Sequence, residues 1–171
     1  MAGLNSRMWV DTDFINQLKH LPDDVKKTAH RAVKLTNHWF RAMTMAELGY
    51  ALEIDEKSAF RSRFKVYSKA GVKARLWVGI RQIGVHRLGK PQQTPDGVKV
   101  GSHFFEKAFI SPMNSDELLV FRRTGKHRKT AQMVTMDISA EAEEILGTYQ
   151  TELNAKFQEF FIREFRQLHR P

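Results

Sequence analysis

Arg122, Arg123, Lys126, Arg128 and Lys129 put five cations within eight residues around Gly125, with no acid among them. Like charges packed that densely repel one another, and a polyanion would relieve the repulsion. Their chemistry is phosphate neutralisation, which attracts nucleic acid whatever its sequence and weakens steeply with salt. Arg81, Arg87 and Lys90 on the preceding loop belong to the same candidate surface, expected to face DNA or the acidic wall of a neighbouring protein. The plainer alternative is a solvated hairpin tip. The bias is regional: residues 57–130 hold 17 Lys and Arg against 4 Asp and Glu, out of 28 and 19 in the chain. The flanks are therefore mildly acidic.

No catalytic constellation accompanies these cations. The seven histidines, among them His86, His103 and His127, show no metal-ligand spacing such as His-Glu-x-x-His. With no cysteine there is no disulfide framework, thiolate metal site or cysteine nucleophile. Asp116-Glu117 beside Asn114-Ser115 reads as turn chemistry. Gly97 and Gly101 lack the strand, helix and lysine of a phosphate-binding loop. The expectation is a protein that is not an enzyme and has no catalytic residues, cofactor or metal. Met1 to Val10 is no secretory signal, and no stretch approaches the roughly 20 apolar residues of a membrane span. The 171 residues suit one domain able to bury about 70% of its unfolded surface.

The elements that must position the cations follow from periodicity. Asp11 or Asp13 caps a short turn with Phe14, Ile15 and Leu18. Pro22, Asp23 and Asp24 then open an amphipathic helix whose Val25, Ala29, Ala32, Thr36, Phe40 and Met43 recur at three- and four-residue steps to about Met45. A short helical piece is expected over Ala46–Leu52. Phe64–Tyr67 alternates as a strand, Lys69–Gly71 turns, and Val72–Val85 continues with Leu76, Val78 and Ile80 on one face and Trp77 on the other. Gly84–Gly101 is polar and interrupted by Pro91 and Pro95, and is expected to be a long mobile loop, with Asp96-Gly97 able to form a hairpin turn before Val98–Val100. Phe104–Ile110 and Leu118–Arg122 form a strand pair joined by Pro112–Ser115, and Gln132–Ile138 is the last strand.

The C-terminal segment is helical. Ser139 is a cap, Glu141, Glu143 and Glu144 load the first turn, and Ala142, Ile145, Leu146, Tyr149, Leu153, Phe157, Phe160, Phe161 and Leu168 form the buried stripe. Ile162 and Phe165 fall off that stripe and are the candidate subunit contacts, because a helix apolar over so much of its surface is central to a core or meets another subunit. The fold expected is α+β: a long N-terminal helix, a central antiparallel sheet with a long polar loop, and a C-terminal helix packed on the sheet. Its parts are a helical 1–53, a basic β region 54–138 and a helical 139–171.

Residues 44–63 also read loosely as helix-turn-helix, with Asp55 capping a second helix that carries Arg61 and Arg63. Glu53 stands where that turn often has glycine. The segment supports an alternative function, a nucleic-acid-binding regulator.

From Phe60 to Arg128 the chain resembles the phage minor tail protein Z family, the tail-completion proteins of long-tailed phages. The resemblance rests on Arg61-Ser-Arg-Phe-Lys-Val66 after a long helix, Ala74-Arg-Leu-Trp-Val-Gly79, Gly97-Val-Lys-Val100 leading to Lys107-Ala-Phe-Ile110, and Val120-Phe-Arg-Arg-Thr-Gly-Lys126 with Arg128. Family members often have Pro-Ile after the basic turn, where this chain has Thr130-Ala131. The resemblance implies a structural virion protein of the tail or neck, made and assembled in the host cytoplasm. It implies partners among other tail and neck proteins, a ring of its own copies or contact with a ring, and DNA met through phosphate alone, without a membrane.

Overall fold

The structure is a computed structural model and describes residues 22–54, 58–68, 74–80, 82–112, 117–125 and 130–168. The expected turns at Phe14–Leu18 and Lys69–Gly71 lie outside the described residues, as does most of Pro112–Ser115.

Helix α1 spans Asp23–Ala51 behind Pro22, with Asp23 and Asp24 in its first turn, where the unpaired N–H groups favour negative charge. It runs unbroken past Met45, because Leu48 continues the buried row of Phe40 and Thr44 one turn further. Its end is set by Glu53, left-handed at φ 50°, and by Ile54 N–H donating to the Gly49 carbonyl at 2.8 Å. Thr28, Thr36 and Thr44 are fully buried, and each hydroxyl donates to the carbonyl four residues earlier, so the buried row stays polar at little desolvation cost.

A four-residue helix α2 (Ser58–Arg61) leads into β1 (Phe64–Ser68), which pairs antiparallel with β2 (Ala74–Val78). Leu76, Val78 and Ile80 are buried and Trp77 is half-buried, as the alternation requires. Then come β3 (Ile83–Gly84), a 3-10 turn (Val85–Arg87), β4 (Pro91–Gln93), β5 (Gly97–Val100) and β6 (His103–Glu106). Strands β7 (Ala108–Pro112), β8 (Leu118–Arg123), β9 (Ala131–Met133) and β10 (Thr135–Met136) precede α3 (Ser139–Leu168).

The architecture is α+β, a long helix, antiparallel strands and a closing helix. The strands form four small antiparallel sheets: β1–β2, β10–β3, β4–β5–β6 and β7–β8–β9. The segment expected to be a mobile polar loop is instead built into the second and third of these. Thr94 N–H donates to the Gly97 carbonyl, and Gln93 clamps the turn, its amide donating to that carbonyl while its oxygen accepts from Ile110 N–H. Those bonds satisfy the backbone that composition alone suggested would stay in water.

One core joins Phe40 and Leu48 of α1, Phe60, Leu76, Val85, Val98 and Val120 of the middle, Ile138 just before α3, and Ala142 and Leu146 of α3. Beyond Leu146 the main partner of α3 is α1 and not the sheets. Trp39 meets Tyr149 edge to face, and Lys156 lies over the same Trp39 ring, 5.6 Å from its centroid. Of the expected stripe, Leu153 is buried, Tyr149, Phe157, Phe160 and Phe161 are half-buried, and Leu168 is exposed. The helix start also differs in detail: Ser139 donates both its N–H and its hydroxyl to the Asp137 carboxylate, which is the capping acceptor.

Candidate nucleic-acid interface

Strand β8 carries the candidate cations at its end. Its register with β7 sets Ala108 opposite Arg122, Phe109 opposite Phe121 and Ile110 opposite Val120. Paired residues share a face, and alternate residues change face. Ala108 and Val120 are therefore turned into the core, both buried, while Phe109, Phe121 and Arg123 are turned outward. Phe109 and Phe121 lie ring against ring, with centroids 6.2 Å apart and planes at 30°. Across the next pairing Phe121 faces Met133, which is 44% exposed.

Arg122 shares the core side but sits where the strand leaves the core, so its side chain is exposed. Its Nε–H donates to the Glu106 carbonyl at 3.0 Å. Arg123 is exposed too, with its guanidinium 5.9 Å from the Phe109 ring centroid. Among the described residues neither arginine has a carboxylate within ion-pair distance; the Glu106 carboxylate pairs with Lys107 at 3.3 Å. The hairpin beyond them is tied shut at its base. Thr124 donates its N–H and hydroxyl to the Thr130 carbonyl at 3.0 and 2.7 Å, and the Thr130 hydroxyl donates to the Gly125 carbonyl at 3.0 Å. Lys126, Arg128 and Lys129 lie between these ties and outside the described residues, as does Arg81.

Arg87 and Lys90 are exposed, on the 3-10 turn and just before β4. The turn is stitched to the sheet through Val85 N–H to the Val134 carbonyl and Val134 N–H to the Val120 carbonyl. Arg87 belongs to the other end of β8. Its neighbour His86 has its pKa lowered by burial and then by the Arg87 charge, with Glu117 opposing. Glu117 immediately precedes β8, and Arg123 closes it, six steps or roughly 20 Å away at ~3.3 Å per residue. The structure therefore brings Arg122 and Arg123 together at the end of β8 and sets Arg87 apart, beside His86, which feels the Glu117 charge.

Other cations are structural. Arg63 donates to the carbonyls of Gly79 and Gln82 at 3.2 and 2.9 Å, and Arg41 Nε–H donates to the Phe64 carbonyl at 3.0 Å. Among the described residues of the helix-turn-helix-like segment, α2 has four residues and runs into β1, and Arg63 is bound to backbone; Asp55, the expected cap, lies outside the described residues. On α3, Ile162 is 49% and Phe165 36% exposed, Phe165 ending a ladder in which Phe157, Phe161 and Phe165 stack at four-residue steps about 6 Å apart.

The outward pair Phe109–Phe121 was not read from the sequence. The signal was available in the register: aligning Val120 with Ile110 forces the two phenylalanines opposite each other. Among the described residues no three His, Asp or Glu side chains gather as metal ligands, and no helix is long and apolar enough to cross a membrane. No protein-family model matches the chain, and neither a curated protein nor a solved structure matches it significantly.

Proposed function

We propose that this chain is a structural virion protein of a phage tail or neck, which completes the tail and supports head–tail joining and passage of DNA. The observation that carries the reading is the resemblance over Phe60–Arg128 to tail-completion proteins, within which Arg122 and Arg123 end β8 beside the bonds between Thr124 and Thr130. Two features support it further. Arg122 and Arg123, neither of which has a carboxylate partner among the described residues, suit a wall that borders DNA through phosphates. The exposed Ile162, Phe165 and Leu168 on α3 suit a subunit that packs on copies of itself or on a ring-forming neighbour, since oligomers favour closed symmetry. Its place is then the tail or neck of the particle, after assembly in the host cytoplasm.

The deciding experiment is co-sedimentation with assembled tails from an infected culture, scored by mass spectrometry of the gradient fractions. The expected result is the chain in the tail and particle fractions, and unjoined heads and tails when its gene is disrupted. Recovery of the chain only among free proteins, with a normal yield of infectious particles from the disrupted strain, overturns the reading. Changing Ile162 and Phe165 to Ser is expected to remove the chain from tails without unfolding it.

A further inference from the structure

We propose that the outward face of the β7–β8–β9 sheet is a stacking platform for single-stranded nucleic acid, with bases lying against Phe109 and Phe121 and phosphates reaching Arg123, while Arg122 adds charge at the end of the sheet. This goes beyond passage of a duplex and does not depend on it. An unpaired strand offers the flat faces of its bases, which a duplex keeps inside its own stack. Aromatic rings on a sheet beside a basic track bind such strands with little regard to sequence.

The face has both components. Phe109 and Phe121 are half-buried, on the face of β7 and β8 opposite the buried Ala108 and Val120, and outside the cluster that forms the core. Met133 extends the apolar surface across β9. Charge complementarity identifies the occupant. Among the described residues of 118–136 the charged side chains are Arg122 and Arg123, with no Asp or Glu. Arg123 lies over the Phe109 ring with no carboxylate partner among the described residues, and the bond from Arg122 to the Glu106 carbonyl anchors its guanidinium at the sheet end. An acidic or purely apolar partner would use only half of this surface.

The test is fluorescence anisotropy of the isolated chain with labelled oligo(dT) and with a blunt duplex of equal length, over a range of salt. Oligo(dT) is expected to bind more tightly than the duplex. Phe109→Leu and Phe121→Leu keep apolar volume on the face but remove the ring, and each is expected to weaken oligo(dT) binding by roughly fivefold or more. Arg123→Gln is expected to flatten the dependence of log K on log salt by about 0.7. Circular dichroism checks that each variant keeps its fold, and Met133→Glu, at an exposed site, adds repulsion on the same face without touching the core. Equal or tighter duplex binding, no oligonucleotide binding at all, or unchanged oligo(dT) affinity in the folded Leu variants overturns the proposal. Because the assay needs no particle, it can fail while the virion reading stands.

Discussion

Trp39 of α1 and Tyr149 of α3 meet edge to face, with ring centroids 5.9 Å apart and planes at 83°, and the Tyr149 hydroxyl donates to the Glu47 carboxylate at 3.3 Å. This contact, extended by Lys156 on the same Trp39 ring, fastens the closing helix to the opening one. Trp39→Ala is expected to lower stability by about 2–4 kcal/mol, since it removes a half-buried ring and leaves both partners uncovered. Tyr149→Phe keeps the ring contact and is expected to cost under about 1 kcal/mol. Urea midpoints of the two variants check the difference; equal losses would place the strength in the hydroxyl.

Asn37 lies on the buried face of α1 with neither its amide nitrogen nor its oxygen hydrogen-bonded. A buried polar group without a partner costs about 1–3 kcal/mol. Asn37→Leu, close in volume, is therefore expected to raise the melting temperature. A fall in stability on thermal unfolding would mean that the site cannot accept the branched side chain.

Gly97 lets β5 and β6 approach: a Cβ there would stand 2.2 Å from the Phe105 carbonyl oxygen, which is backbone and cannot swing away. Gly97→Ala is expected to destabilise by about 1–3 kcal/mol through forced backbone shift. Hydrogen exchange at the Val98 and Val100 amides is expected to be slow in the parent chain and fast in the variant. Fast exchange in both would mean that the hairpin over Pro91–Val100 opens on its own.

Among the described residues, His86 and Asp137 have pKa values lowered by the fold. Burial, and then the Arg87 charge, lower the His86 pKa below its ordinary value of 6.5. Below pH 6.5 the unfolded chain binds that proton and the folded chain resists it, so stability falls from there down through the folded pKa. The Ser139 hydroxyl and N–H lower the Asp137 pKa below 3.8, so its contribution is present above 3.8 and is lost as pH falls through the folded value. Thermal melts from pH 7 to 3 are expected to show a decline beginning near 6.5 that His86→Gln removes. Asp137→Asn leaves that upper decline and flattens the most acidic part.

Much of the molecule was legible along the chain because it depends on local rules. Proline and two aspartates mark the start of α1, three- and four-residue steps mark its buried row, and alternation marks Leu76, Val78 and Ile80 as a core face. Such patterns depend on which side of one element meets water, which needs no knowledge of the partner. Partners were decided only by the tertiary structure. Composition made Gly84–Gly101 a loop, yet Gln93 reaches the backbone of Gly97 and Ile110 and turns polar sequence into satisfied hairpin. Likewise α3 carries an apolar stripe that would suit a sheet as well as a helix, and the Trp39–Tyr149 contact directs it to α1. The candidate site divides in the same way. The clustering of Arg122, Arg123 and their followers is a property of sequence. Their separation from Arg87 and the pairing of Phe109 with Phe121 are properties of register, because only the hydrogen bonds between β7 and β8 decide which side chains stand opposite and which face they share.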